Sequence, residues 1–244
     1  MDRDLGVTEA IRANAPEWSV DLAELLALGG DLLLIVPVLA LLLLADITRT
    51  VATNLDGGET PPLYSPRTIE LIATVFGGLS LLLVLESLFA LGRPPESWHA
   101  ISPSPYGFPS GHTMAATIFW GALALWYPVA RARVRMVTVA LIVSLVGFSR
   151  LLLGVHFLVD IIAAVVAGVL YLVAIDRWLR GRPTALFGLA IAVAILAVAV
   201  TGGTSRTLLA AVGTVGAAIG WQLLEATPVR RFVYASARTL VATR

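Results

Sequence analysis

Three short segments interrupt an otherwise apolar chain with side chains able to do chemistry. The first is Gly92-Arg93-Pro94-Pro95, and the second is Tyr106-Gly107-Phe108-Pro109-Ser110-Gly111-His112. The third is Ser149-Arg150, followed by His156 and Asp160. Arg93 and Arg150 carry planar, permanently charged forks that match phosphate oxygens. His112 and His156 belong to the residue type that titrates near neutrality. Asp160 follows His156 by four residues, which puts both on one helical face. A carboxylate there holds one imidazole nitrogen as N–H and leaves the other free to attack. Pro109-Ser110-Gly111 opens an apolar run, where the free N–H groups of a helix start favour an anion. Proline at that start sets the helical φ, and glycine lets an oxyanion approach the backbone. The set adds up to phosphoryl transfer with histidine as the nucleophile.

Those segments need a scaffold that brings them together. The chain has 244 residues, of which 58% are hydrophobic and 14% charged. Its mean hydropathy is +0.87. Soluble domains carry about a quarter charged residues, so a solvated globular enzyme and a disordered tail are both excluded. A net charge of +1 gives a nucleic-acid partner no electrostatic footing. All 17 basic residues are arginine, which removes lysine Schiff-base and P-loop chemistry. Cysteine is absent, which removes disulfides, thiolate metal sites and a catalytic thiol.

Crossing a bilayer core takes about 20 mostly apolar helical residues. Seven stretches meet or approach that length: 24–45, 68–91, 112–129, 135–153, 157–175, 184–201 and 207–225. Backbone cannot cross lipid with its polar groups unsatisfied, so each is predicted to be a helix. The expected fold is an all-α, polytopic transmembrane bundle of about seven spans. With the N-terminus outside and the C-terminus inside, twelve arginines fall in or beside inner segments and five in outer ones. The outer five are Arg3, Arg12, Arg93, Arg150 and Arg206. On this count the end of span two, the start of three, the end of four and the start of five share the outer side. The three polar segments are therefore predicted to meet at one extracytoplasmic surface of the plasma membrane.

Residues 1–23, with Asp2, Arg3, Asp4, Glu9, Arg12 and Glu17, read as an N-terminal interfacial segment with a short helix over 7–18. Residues 24–176 read as the catalytic transmembrane bundle, and 177–244 as two additional spans and a cytoplasmic tail. The inner loop 46–67 carries a turn-forming Asp56-Gly57-Gly58, and Arg244 adds to the inner charge. Gly213, Gly216 and Gly220 fall near one helical face. That pattern is first a packing face within one bundle, and second a contact for a homo-oligomer. Asp31 lies beside Gly29-Gly30 at the outer end of the first span and is expected at the interface. Glu70 and Glu225 are expected to face headgroups, His99 to be solvated, and the tryptophans to sit mostly in interfacial belts.

The order Arg-Pro, then Pro-Ser-Gly-His, then Ser-Arg-x5-His-x3-Asp resembles the type-2 phosphatidic-acid phosphatase family. That family includes lipid phosphate phosphatases, polyprenyl diphosphate phosphatases and the related vanadium haloperoxidases. The resemblance covers residues 86–160, and its combined spacing is highly specific. It implies that His156 forms a phosphohistidine and that Asp160 orients it. It implies that His112 protonates the leaving oxygen and later activates water. Arg93, Arg150, Ser110 and the Gly111 backbone would hold the phosphoryl oxygens, with Pro109 and Ser149 completing the binding positions. It implies a membrane lipid phosphate as substrate, the lipid bilayer as surroundings, and neither metal nor cofactor.

One position departs from the family pattern. The first motif begins with Lys seven residues before Arg-Pro, where this chain has Glu86. Seven residues are two helical turns, about 10 Å along one face, so Glu86 is expected to point toward the same cavity. It is expected to pair with Arg93 or Arg150, or to carry a proton through burial. The implied activity is metal-independent hydrolysis of a polyprenyl (dolichyl-type) diphosphate or a phosphatidate-like lipid. A lipid-linked phosphotransferase, or a catalytically impaired lipid-binding or transport protein on the same bundle, are the alternatives. Release of free phosphate separates them.

Overall fold

The structure, a computed structural model, describes residues 3, 5–55 and 60–242. Asp2, Asp4, the Asp56-Gly57-Gly58 turn and Arg244 lie outside the described residues. Among the described residues there is no strand. The helices are α1 (Val7–Asn14), α2 (Ser19–Ala27), α3 (Leu32–Thr53), α4 (Pro66–Phe89), α5 (Gly111–Trp126), α6 (Ala132–Leu152), α7 (Leu158–Trp178), α8 (Pro183–Thr201), α9 (Ser205–Glu225) and α10 (Thr227–Ala242).

Six of these, α3, α4 and α6–α9, are long and apolar enough to cross a membrane. The remaining expected span, 112–129, is α5, which has only 16 residues. It stops at Trp126 because Pro128 follows, and proline disfavours helix in the residue before it. Its shortness goes with its place. α5 packs against α4, α6 and α7 at the centre of the bundle. α4 is the other central helix, with most of its length buried. α8 and α9 lie directly against α4, so the two expected additional helices complete the bundle. The outward faces of the peripheral helices keep large apolar side chains exposed, such as Leu41, Leu141, Leu170 and Leu209. Their natural cover is lipid.

Local chemistry sets the helix ends. Pro66 and Pro183 occupy first-turn positions of α4 and α8, where a missing N–H costs nothing. Asp46 accepts from the Ser65 N–H at 2.7 Å and the Thr68 hydroxyl at 2.7 Å, which anchors the start of α4. The expected first span begins later than residue 24, because Leu28–Gly30 forms a single tight turn. Asp31 then caps α3 by accepting from the Leu33 N–H at 2.8 Å. A Cβ on Gly30 would lie 2.1 Å from the His112 carbonyl oxygen, so only glycine lets this turn reach the start of α5.

Several expectations are corrected by packing. The N-terminal helix ends at Asn14 and packs on α6, rather than extending to 18 along an interface. Glu70 is buried within α4, not turned toward headgroups. Glu225 accepts from the Tyr64 hydroxyl, which in turn accepts from the Trp221 indole at 2.7 Å. Trp126 and Trp221 are core residues, unlike the exposed Trp18 and Trp178. The expected tail is the helix α10, whose Tyr234 is fully buried in the main core. Gly213 meets Phe76 of α4 inside the bundle, while Gly216 and Gly220 face open space. The glycine face is thus a packing feature of one chain at Gly213.

Candidate active site

The site is built where α4 ends, α5 begins, and α6 turns into α7. Gly154, with φ +69, makes the turn after α6. That left-handed conformation favours glycine, and it delivers Val155 and His156 to the cluster. The Arg93 guanidinium donates to the Val155 carbonyl at 2.8 Å and to the Ser104 hydroxyl at 3.0 Å. It also lies 2.9 Å from His156 Nε2. The Ser110 N–H donates to the Asp160 carbonyl at 3.1 Å. The three polar segments therefore do converge at one end of the bundle.

The tautomer of His156 follows from its partners. Nδ1 is 2.8 Å from the Gly107 carbonyl oxygen, which only accepts, so Nδ1 carries the proton. Nε2 is left with its lone pair, toward which Arg93 donates. Asp160 Oδ2 stands 3.5 Å from Nδ1, so the orienting role expected of Asp160 is shared with the Gly107 carbonyl. Burial pushes the His156 imidazole down to about 4, with Asp160 opposing and Arg93 and Arg150 reinforcing the shift. The ring is neutral at physiological pH.

Asp160 is completely buried and heavily engaged. It accepts from the Phe157 N–H at 2.9 Å and from the Arg3 guanidinium. Arg3 also donates to the Gly92 carbonyl and lies over the rings of Phe108 and Phe157. The Thr8 hydroxyl donates to the His156 carbonyl at 3.0 Å. Arg12 donates to the carbonyls of Trp98 and Leu152, each at 3.0 Å. The N-terminal segment is thus a strap across the site.

His112 sits in the first turn of α5, and its Nε2 is 3.4 Å from Asp31 Oδ2. Asp31 is accordingly a member of the cluster as well as a cap. The His112 interaction, followed by the Leu33 N–H, holds its carboxyl below the usual range against the opposing effect of burial. Arg93 and Arg150 act electrostatically on both His112 and His156. Arg150 is almost wholly buried, and its Nε has no hydrogen-bond partner. Burial pulls Arg93 down to about 10, still cationic at neutral pH.

The remaining motif residues have defined places. Ser110 is the N-cap residue of α5, but its hydroxyl meets Thr113 Oγ1 at 2.9 Å instead of capping the helix. Pro109 precedes the cap and so lies outside the first turn, where it was expected to set the helical φ. Gly111 begins α5, and a Cβ there would sit 3.4 Å from Glu86 Oε1. Ser149 spends its hydroxyl on the Val146 carbonyl at 2.7 Å and is not turned into the cluster. His99 faces the Pro94 carbonyl at 3.0 Å. Glu86 pairs with neither expected arginine; its Oε2 is 3.0 Å from Arg206 of α9. Gly107, Arg3, Asp31 and Arg206 lie outside the roles read from sequence. The signals in the sequence were the outer-side placement of the two arginines, the place of Gly107 within the second polar segment, and a charge at Asp31 beside an apolar run.

A membrane-spanning helical bundle that gathers two histidines and two guanidinium forks at one end defines a class of phosphate-handling membrane protein. The model of the PAP2 superfamily matches residues 36–184, more than half of the chain, and the protein belongs to that superfamily. A solved structure with a similar fold is the first transmembrane PAP2 type phosphatidylglycerolphosphate phosphatase from Bacillus subtilis. It is 21% identical, covers 72% of this chain and 86% of its own, and superposes with a TM-score of 0.53. No curated protein matches the chain in sequence.

Proposed function

We propose that this protein is a lipid phosphatase that works through a phosphohistidine at its extracytoplasmic face. The observation that carries the reading is Arg150: a buried guanidinium with an unpartnered Nε beside a neutral imidazole. A buried donor left without an acceptor is costly, and a phosphoryl oxygen supplies that acceptor. His156 Nε2 attacks phosphorus while the bond to the lipid oxygen breaks. Arg93 moves its donor from Nε2 to a phosphoryl oxygen as the anion enters. The free N–H groups at the start of α5 and Arg150 stabilise the developing charge. His112 gives its proton to the leaving lipid oxygen, with Asp31 holding one ring nitrogen. Water then attacks the phosphohistidine as His112 takes a proton, the P–N bond breaks, and inorganic phosphate leaves.

Membership of the PAP2 superfamily supports the class of reaction. The Bacillus subtilis neighbour, a phosphatidylglycerolphosphate phosphatase, supports a lipid phosphate as substrate. The arginines support the orientation. Arg3, Arg12, Arg93 and Arg206 bond to groups at the site end, and Arg150 belongs to the site. The topogenic surplus then lies at the opposite end. The test is phosphate release from dodecyl phosphate and dodecyl diphosphate in neutral detergent. His156→Ala is expected to lower kcat by about 10⁴-fold or more. His112→Asn is expected to accumulate radiolabelled phosphoenzyme. Unchanged release by His156→Ala overturns the mechanism; transfer to a lipid acceptor without free phosphate identifies a phosphotransferase.

A further inference from the structure

Beside the reacting groups lies a cavity of about 500 Å³, bounded by α3, α4, α5 and α9. Its walls are apolar, with Phe76, Leu79 and Leu83 of α4 facing Leu209 and Gly213 of α9. Its polar members are confined to the site end: Asp31, His112 and Arg206. Seven residues separate Arg206 from Gly213, so the cavity runs about 10 Å down the bundle. This is the shape of a chain-binding slot with an ionic mouth.

Arg206 is placed at that mouth by Glu86. The Glu86 side chain is only 6% exposed, whereas that of Arg206 is 53% exposed. One terminal guanidinium nitrogen meets Glu86 Oε2 at 3.0 Å. The remaining donors make no hydrogen bond among the described residues. An ion pair with one partner so open to water contributes little stability, so tying α9 to α4 is a weak explanation for it. Arg206 lines the same cavity as His112, and its partner Glu86 stands 3.4 Å from where a Cβ on Gly111 would sit, so the pair borders the phosphate site. Arg206 lies outside the family-matched segment 36–184.

We infer that Arg206 is a substrate-binding residue, held by Glu86, that grips an anionic oxygen where the lipid chain enters the phosphate site. The occupant of the cavity is the alkyl or isoprenoid chain of the substrate, and this rests on the lipid phosphatase reading. The anionic oxygen belongs either to the scissile phosphate itself or to the inner phosphate of a diphosphate.

The test uses the full-length protein with His156→Gln, which stops turnover, in a neutral maltoside detergent. The probes are dodecyl phosphate, dodecyl diphosphate and dodecanol. Adding Arg206→Ala is expected to weaken binding of the phosphorylated probes about tenfold and to leave dodecanol binding in place. Arg206→Lys is expected to recover most of the loss. A larger loss for the diphosphate identifies the inner phosphate, and equal losses identify the scissile one. Unaltered phosphate binding, or an equal loss for dodecanol, overturns the proposal. Because binding is read without turnover, failure here is separate from failure of the parent reading, which shows as absent phosphate release by the unmodified protein.

Discussion

Asp160 and Glu86 are both carboxylates buried against the same site, and they are held in opposite ways. Asp160 is fully buried and bonded to the Phe157 N–H and Arg3, with His156 behind. Glu86 is nearly as buried, yet its ion-pair partner is a single half-exposed arginine. A carboxylate satisfied on both oxygens fixes its neighbours. A carboxylate whose one partner is half-exposed leaves that partner open to an arriving anion. The first arrangement suits a group that must orient a nucleophile through every turnover. The second suits a cation that must release and recapture an arriving anion. Both arginines come from outside the family-matched segment 36–184, one before it and one after it.

The largest effect should come from breaking the rigid side. Asp160→Asn is expected to lower kcat about 100-fold with little change in KM, as loss of an outer-shell orienting group does. The Gly107 carbonyl keeps the His156 tautomer, which limits the loss. Steady-state phosphate release checks it, and a Glu86→Gln loss of equal size and kind would erase the contrast. Arg3→Ala should follow, with kcat about tenfold lower. It frees Asp160 charge toward His156, so the acid limb of the pH–rate profile should move up. A strap that only stabilised the fold would lower active protein without moving that limb.

The motif residues could be picked out because their spacing is local: a helix start, an arginine near each helix end, and a histidine four residues before an aspartate, although His156 lies ahead of α7 and not on a helical face with Asp160. Their convergence followed from counting crossings. Asp31 was not legible, since its place beside Gly29-Gly30 at the outer end of the first span reads as simple interfacial exposure, whereas it is both the cap of α3 and the partner of His112. Arg3 and Arg206 were counted only as outer arginines. Their roles depend on contacts across 157 residues in the first case and on packing of α9 against α4 in the second. Ser149 shows the converse. A motif position guaranteed its place on α6 but not the direction of a hydroxyl that its own helix could satisfy. The expected span 112–129 ran past Pro128, which ends α5 at Trp126, and the burial of α5 was not legible because apolar composition alone cannot distinguish a lipid-facing helix from a central one.

The Glu86–Arg206 pair, with its half-exposed arginine, predicts a smaller effect with a change of sign. Alone, Glu86→Gln loosens the hold on Arg206 and should weaken dodecyl phosphate binding about threefold, the scale of a partly exposed ion pair. In the Arg206→Ala background the same change should strengthen binding, because it removes an unpaired carboxylate facing the anion. Binding measured across the four combinations reads both signs, and a loss in both backgrounds would make Glu86 a ligand in its own right.

The smallest effect separates the two carboxylates by pH. With His156 near 4, the nucleophile stays neutral down to about that pH, and activity should fall only as the ring gains a proton below it. Asp160 favours the imidazolium, so Asp160→Asn should move the acid limb of kcat/KM further down. Arg206→Ala should leave the limb nearly still, because the charges that act on His156 are those of Asp160, Arg93 and Arg150. A limb that shifted more with Arg206 than with Asp160 would mean that the two arms of the site are one electrostatic unit.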